Sequence, residues 1–170
     1  FKNFLLVQTD FNYEAKNILK FQDIYKEYDF IIIPKLIDHS KDYLVMSKET
    51  GYHIKKFGDL YPEFKEEAVA LIYSTLFLMI KNKTIHGDLH FGNFLFKLTN
   101  NKVHITLLDF GIVCHISDEQ SKYLIKYLKS NSKEKKRENL INFTRSILIN
   151  KVNFNNDLNL CTNFFNGQSC

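Results

Sequence analysis

Cysteine is scarce in this sequence and follows no pattern. Its 3 residues, Cys114, Cys161 and Cys170, lie at unrelated spacings, which argues against a disulfide framework and against a CxxC metal knuckle. Reduced thiols in an intracellular protein are their simplest explanation. The sequence also shows no signal-peptide pattern and no apolar run of about 18 residues. We therefore expect no membrane-spanning segment and a cytoplasmic or other intracellular location.

Tryptophan is absent, and so is a large excess of one charge. The formal net charge is only +4, and the main basic cluster, KEKKR at 133–137, contains a glutamate. Such a run is typical of a solvated helix face. We therefore predict no nucleic-acid partner, and a nucleic-acid or anionic-lipid patch is the weaker alternative.

Apolar side chains, by contrast, are abundant. Of the 170 residues, 45% are hydrophobic, and they include 16 Phe and 9 Tyr. This composition argues against disorder, and the length suits one domain with a buried core. Phenylalanine and tyrosine can fill that core without tryptophan.

The first part of the sequence predicts a helix followed by a β-hairpin. Asp10 can cap a helix over residues 11–28. The predicted buried face of this helix comprises Phe11, Ala15, Ile18, Leu19 and Ile24. A β-branched run from residue 30, bounded by Pro34, predicts a strand that continues to residue 37. We expect this strand to pair with a second strand at 43–46.

The later part predicts a long helix, a second hairpin and two more helices. Pro62 stands near the start of the longest helix, predicted over residues 62–82. Short strands at 95–97 and 103–108 flank an Asn-Asn turn. Further helices are predicted from Ser117, with Gln120 close behind it, and over 134–149. This order predicts an α+β fold rather than a doubly wound sheet.

Two polar segments carry the chemistry. HGDLHFGN covers residues 86–93, and LLDFGI at 107–112 delivers Asp109 from an apolar strand into a glycine turn. Phosphoryl transfer from ATP needs hard cations, which prefer oxygen ligands, and a carboxylate beside the attacking hydroxyl. Asp109 can supply a Mg²⁺ ligand and Asn93 a neutral oxygen for the same ion. Asp88 can orient the nucleophile.

Simpler interpretations of these residues stay open. His90 could belong to a His-x-Asp-x-His metal site, but such a site needs further ligands that no motif supplies. His86 fits a structural hydrogen-bonding residue better than a proton shuttle. Glu14 could be a surface charge, and helix capping explains Asp10 as well as any other role.

HxDxxxxN followed by DFG resembles the signature of the protein-kinase-like superfamily. Gly87 replaces the usual Arg, as in its atypical and small-molecule branches. The segments TDFNYEAKNILKF (9–21) and IPKLIDHSKDYLVMSKETG (33–51), with ISDEQ (116–120), resemble the ABC1 (UbiB) family of atypical kinases. Proteins of the choline-kinase and aminoglycoside-phosphotransferase type share HGDLHxGN equally well. A small-molecule phosphotransferase is therefore the alternative.

The ABC1 resemblance implies ATP and Mg²⁺ as cofactors and assigns nucleotide-binding roles. Glu14 would be the helix glutamate that pairs with an ATP-positioning lysine. Met46 would lie behind the adenine, and the backbone of Ser47 and Glu49 would bind the adenine edge. Asp109 would contact the nucleotide through the metal.

The same resemblance assigns the catalytic and metal-binding roles. Asp88 would be the catalytic residue, and Asn93 and Asp109 would be the metal ligands. Three further residues would support the two loops: His86, Gly87 and Gly111.

The resemblance also implies a kinase-like fold that is only partly present. Residues 1–46 would be part of the small lobe (a helix plus a hairpin), 47–58 a hinge, and 59–150 a mainly helical large lobe, followed by an Asn-rich segment at 151–170. The family's KxGQ element, its Ala- or Gly-rich loop and its lysine-bearing strand have no match here. We therefore expect this chain alone to bind nucleotide weakly and turn over little. A non-catalytic pseudokinase or binding module is a second alternative.

The segment after DFG bears on the substrate. No Ala-Pro-Glu element follows it, since the 2 prolines are Pro34 and Pro62, and a helix is predicted from Ser117. We therefore expect no peptide-docking activation loop, which favours a small-molecule or lipid-related substrate, or ATPase activity. The resemblance implies a link to isoprenoid-quinone metabolism, with mitochondrial or bacterial-membrane location and peripheral membrane association.

Overall fold

The computed structural model describes residues 9–148, and two compact units divide between Ile116 and Ser117. The first unit contains α1 (Phe11–Tyr25), β1 (Ile31–Ile32), β2 (Leu36–His39), β3 (Leu44–Met46), α2 (Ile54–Leu60), α3 (Lys65–Lys81), β4 (Thr84–His86), β5 (Phe94–Thr99), β6 (Lys102–Leu107) and β7 (Val113–His115). The second unit contains α4 (Asp118–Lys129) and α5 (Lys133–Leu148). The α+β prediction is confirmed. The predicted segment 151–170 lies outside the described residues.

Three small sheets organise the first unit. β5 and β6 form an antiparallel hairpin, and β1 adds to β6 in parallel, with Ile31 opposite Ile105. The turn between β5 and β6 consists of Asn100 and Asn101, both with positive φ (51° and 56°), as a two-residue hairpin turn requires. β2 pairs with β3, and β4 pairs with β7, both in antiparallel fashion.

The observed elements differ from the sequence predictions in three places. The run at 30–33 does not belong to the β2–β3 hairpin, because its residues pair with β6 instead. The connector at 47–58 contains most of α2, and β4 and β7 were not expected from the sequence. β4 and β7 are each 3 residues long, too short to show an alternating pattern.

Helix α1 begins where Asp10 predicts, since the Asp10 side chain accepts the N–H of Asn12 at 3.0 Å. The helix ends at Tyr25 rather than at residue 28. Its buried residues are Ala15, Ile18, Phe21 and Tyr25. Leu19, predicted to be buried, is 51% exposed.

Phenylalanine dominates the core, as the composition predicts. Phe21, Phe57, Phe96 and Phe110 are all fully buried, and the Phe57 and Phe96 ring centroids are 5.7 Å apart. Among the described helices, none is both long enough and apolar enough to cross a membrane.

The second unit is a pair of packed helices whose start the sequence predicts. Ser117 accepts the N–H of Gln120, and the Gln120 side chain accepts the N–H of Ser117 in return. This reciprocal capping box satisfies backbone donors that the first helical turn leaves free.

Candidate nucleotide and metal site

His86 joins the two motif segments. It is the last residue of β4 and only 3% exposed. Its Nδ1 accepts the N–H of Asp88 at 3.3 Å, and its Nε2 donates to the carbonyl of Leu108 at 3.0 Å. These two bonds together require the neutral imidazole with its proton on Nε2. The segment that holds Asp88 is thereby tied to the strand end that precedes Asp109.

Asn93 makes a second connection between the same segments. Its Nδ2 donates to the carbonyl of Asp88 at 2.9 Å, and its own carbonyl accepts the N–H of Leu108 at 2.9 Å. Asn93 is 7% exposed. Because the amide nitrogen of Asn93 is bonded to the Asp88 carbonyl, Oδ1 is the side-chain atom of Asn93 that is left to bind a ligand.

Gly87 allows β4 to approach the segment after DFG. The N–H of Gly87 donates to the carbonyl of Ile112 at 2.8 Å. A Cβ atom at Gly87 would lie 2.4 Å from Cγ2 of Ile112, a separation that real structures do not allow. Only glycine fits at this close approach.

Asp109 is exposed and adopts a left-handed backbone conformation, with φ of 60°. Its Oδ1 accepts the N–H of Gly111 at 3.2 Å. The next residue, Phe110, is held from α1: Glu14 Oε1 accepts its N–H at 3.2 Å, and Asn17 Nδ2 donates to its carbonyl at 2.8 Å. Two side chains of helix α1 therefore bond to the N–H and to the carbonyl of Phe110, the middle residue of the DFG turn.

The Glu14 carboxyl feels opposing influences at this position. Burial raises its pKa above the ordinary value and is the largest effect; the Phe110 N–H lowers the pKa, and the Asp109 charge raises it. The net direction is upward. Glu14 is thus half-buried and hydrogen-bonded to the residue that follows Asp109.

The predicted adenine-binding residues lie at the end of β3 and directly after it. Met46 is half-buried and packs on the core. The N–H of Ser47 donates to the carbonyl of Lys35 at 2.8 Å, and the Ser47 hydroxyl donates to Glu49 at 2.6 Å. Among the described residues, neither the Ser47 carbonyl nor the Glu49 N–H has a hydrogen-bond partner. A backbone acceptor and a backbone donor are thereby available to a ligand at this segment.

The available oxygen donors fit Mg²⁺ better than zinc. Asn93 and Asp109 offer an amide and a carboxylate oxygen, and Mg²⁺ is commonly bound by one or two carboxylates together with substrate phosphates. In the described part of the chain, no cluster of three or more His, Cys, Asp or Glu side chains could hold a metal. His90 Nδ1 instead accepts the N–H of Gly92 at 3.0 Å. This bond supports a turn-forming role for His90.

Asn17 lies in the segment that resembles the ABC1 family, but the sequence assigned no role to it. Its signal is positional, because Asn17 lies three residues after Glu14 and therefore on the same helix face. Spacing alone could not reveal its partner, because Phe110 is 93 residues away in the sequence.

The chain matches known proteins by both sequence pattern and structure. A family model described as the ABC1 atypical kinase-like domain matches residues 1–143. The fold is similar to that of Rv3197 from Mycobacterium tuberculosis, solved as a complex with erythromycin, with a TM-score of 0.59 and 16% sequence identity. No curated protein sequence matches the chain.

The structural match covers 79% of this chain but only 35% of Rv3197. At 16% identity the likeness establishes the fold alone, which is a partial protein-kinase-like α+β fold. The family follows from the model that spans most of the sequence. This chain belongs to the ABC1 family of atypical kinase-like proteins.

Proposed function

We propose that this chain provides the Mg²⁺- and ATP-facing side of an ABC1-type phosphotransferase or ATPase. The observation that carries the proposal is the double connection through His86 and Asn93 between the Asp88 loop and the DFG turn. Such a connection would keep the positions of the Asp88 and Asp109 carboxylates fixed relative to each other. This matters because catalysis of phosphoryl transfer depends mainly on positioning and electrostatics.

Asn93 and Asp109 would hold the ion, and Asp88 would orient the attacking hydroxyl or water. Mg²⁺ bound there would neutralise negative charge on the phosphate groups of ATP. Asn93 is prepared for this role because its amide nitrogen is already paired with the Asp88 carbonyl. Its oxygen is thus oriented before any ligand arrives.

The nucleotide base would lie against the segment after β3. The Ser47 carbonyl would accept from the adenine amino group, the Glu49 N–H would donate to the ring, and Met46 would contact the base. Glu14 uses only Oε1 for Phe110, so Oε2 would be available to an ATP-positioning lysine. Among the described residues, no lysine forms an ion pair with Glu14.

We propose a small-molecule or lipid-related substrate, with ATPase activity included. Residues 113–115 are paired with β4 as strand β7, and α4 follows after Ser117. Residues 113–115 are therefore already paired in a sheet, and few residues between DFG and α4 remain that could dock a peptide. The family resemblance adds a link to isoprenoid-quinone metabolism and peripheral membrane association.

Thermal denaturation with millimolar Mg²⁺-ADP tests the metal site. We expect ligand to raise the Tm of the wild-type chain by mass action and to leave the Tm of Asp109→Asn nearly unchanged. Asparagine tolerates the left-handed backbone of this position. Asp59→Asn, at an exposed residue of α2, is the matched control and should retain the wild-type shift. An equal shift in Asp109→Asn would contradict the proposal.

A further inference from the structure

We propose that Asn17 is a positioning residue that fixes the metal ligand Asp109 through the backbone of Phe110. The metal part of this inference rests on the proposed function, because it takes Asp109 as a Mg²⁺ ligand. The geometric part concerns one side chain of α1 and the carbonyl group that follows Asp109 in the chain.

Helix α1 holds Phe110 at three points. Glu14 accepts the N–H of Phe110, Asn17 donates to its carbonyl at 2.8 Å, and the ring of Phe21 packs edge-on against its ring with a centroid distance of 5.1 Å. Glu14, Asn17 and Phe21 occupy positions i, i+3 and i+7, which lie on one face of a helix. One rigid element thus controls the backbone and the side chain of this residue.

Asp109 needs such a constraint because its own backbone is strained. A φ of 60° is uncommon for residues other than glycine, and conformations of this kind persist where neighbouring structure imposes them. The Asp109 carboxylate also accepts the N–H of Gly111. The orientation of the carboxylate therefore depends on how residues 110 and 111 are held.

Asn17 and Glu14 differ in what a bound nucleotide would do to them. A lysine that binds Glu14 Oε2 would draw the carboxyl group towards itself and so change the bond that Oε1 accepts from the Phe110 N–H. Asn17 is uncharged, and its donor bond would persist through this change. The hydrogen bond from Asn17 to the DFG turn would therefore stay the same when nucleotide binds, whereas the bond to Glu14 would change.

Mn²⁺ binding, followed by electron paramagnetic resonance, tests the inference on the whole chain. Asn17→Leu removes the amide donor but keeps the same branching and number of heavy atoms. We expect it to weaken Mn²⁺ binding roughly tenfold, as happens when a residue that supports a metal ligand is lost. Asn17→Gln, which keeps an amide donor, should recover part of this loss. Asn139→Leu is the matched control, since the Asn139 amide donates to the Lys135 carbonyl at the same 2.8 Å in α5.

A double-mutant cycle with Asp109→Asn separates positioning from general destabilisation. If Asn17 acts through Asp109, Asn17→Leu should change Mn²⁺ affinity less than about twofold once Asp109→Asn is present. An equal loss in both backgrounds would overturn the inference.

If the wild-type chain binds no Mn²⁺, the proposed metal role fails, and amide hydrogen exchange still tests the hold on Phe110. In the metal-free chain, the amides of Phe110 and Gly111 should exchange faster in Asn17→Leu than in wild type or Asn139→Leu. Unchanged exchange at both amides would overturn the inference.

Discussion

The protonation of Glu14 makes the stability of the folded chain depend on pH. Because its pKa is raised above the ordinary 4.5 by burial foremost, the folded chain binds this proton more tightly than the unfolded chain does. The contribution of Glu14 to stability is therefore fully present below about pH 4.5 and is lost as pH rises through the folded pKa.

Glu14→Gln should remove this pH dependence while keeping an oxygen acceptor for the Phe110 N–H. We expect similar free energies of unfolding for variant and wild type near pH 4, and a more stable variant near pH 7, where only wild type carries a partly buried charge. Urea denaturation at several pH values measures the difference. Glu27→Gln, at an exposed position, is the control. A difference between Glu14→Gln and wild type that stays constant with pH would contradict this account.

The sequence alone does not fully predict which residues of α1 are buried. Apolar residues occur on two sides of this helix, and the sequence does not say which side will be covered. Phe21 is fully buried because it packs on Phe110 and His86. Leu19 points elsewhere and stays exposed. The choice between the two sides depends on residues far along the chain.

The β4–β7 pair depends on the absence of a side chain at Gly87. Its Cβ would meet Ile112 Cγ2 at 2.4 Å and Cys114 Sγ at 3.3 Å. Either the segment around Ile112 or the Asp88 loop would have to move to make room.

Gly87→Ala should lower the free energy of unfolding by about 2 kcal/mol, the range found for overpacking. The cost should be smaller when Ile112→Ala is already present, since that substitution removes the clashing methyl group. Urea denaturation of both single variants and the double variant gives the interaction energy. An equal cost in both backgrounds would show that the clash is not the cause.

Helix α4 begins at a capping box whose contribution can be measured separately. Ser117→Ala should lower stability by about 1 kcal/mol, because the Gln120 N–H loses its acceptor. Ser117→Thr keeps the hydroxyl and should cost much less. Denaturation followed by far-ultraviolet circular dichroism measures both changes. A threonine variant as unstable as the alanine variant would argue against the cap.

The chain spans about a third of the length of Rv3197. We expect the chain by itself to bind Mg²⁺-ATP weakly and to turn over little, because the lysine and the phosphate-covering loop each supply electrostatic stabilisation. An ADP-release assay measures turnover. Robust turnover that disappears in Asp109→Ala would contradict this expectation.

Local chemistry accounts for most of what could be predicted. The cap at Asp10, the capping box at Ser117 and the turn at Asn100–Asn101 each follow from residues within one turn of chain. The spacing of Asp88 and Asn93 similarly defines a loop whose residues the structure brings together through the Asn93 amide. These features depend on neighbours in sequence, so the sequence is sufficient to predict them.

Contacts between distant segments account for the rest. The parallel pairing of β1 with β6, the β4–β7 pair and the bonds from Glu14 and Asn17 to Phe110 all join residues far apart in the chain. Such pairings are selected by which apolar surfaces are buried together and by the need to satisfy buried backbone groups. The sequence therefore predicted Asp109 as a candidate ligand, whereas only the folded chain shows that α1 bonds to Phe110, the residue that follows it.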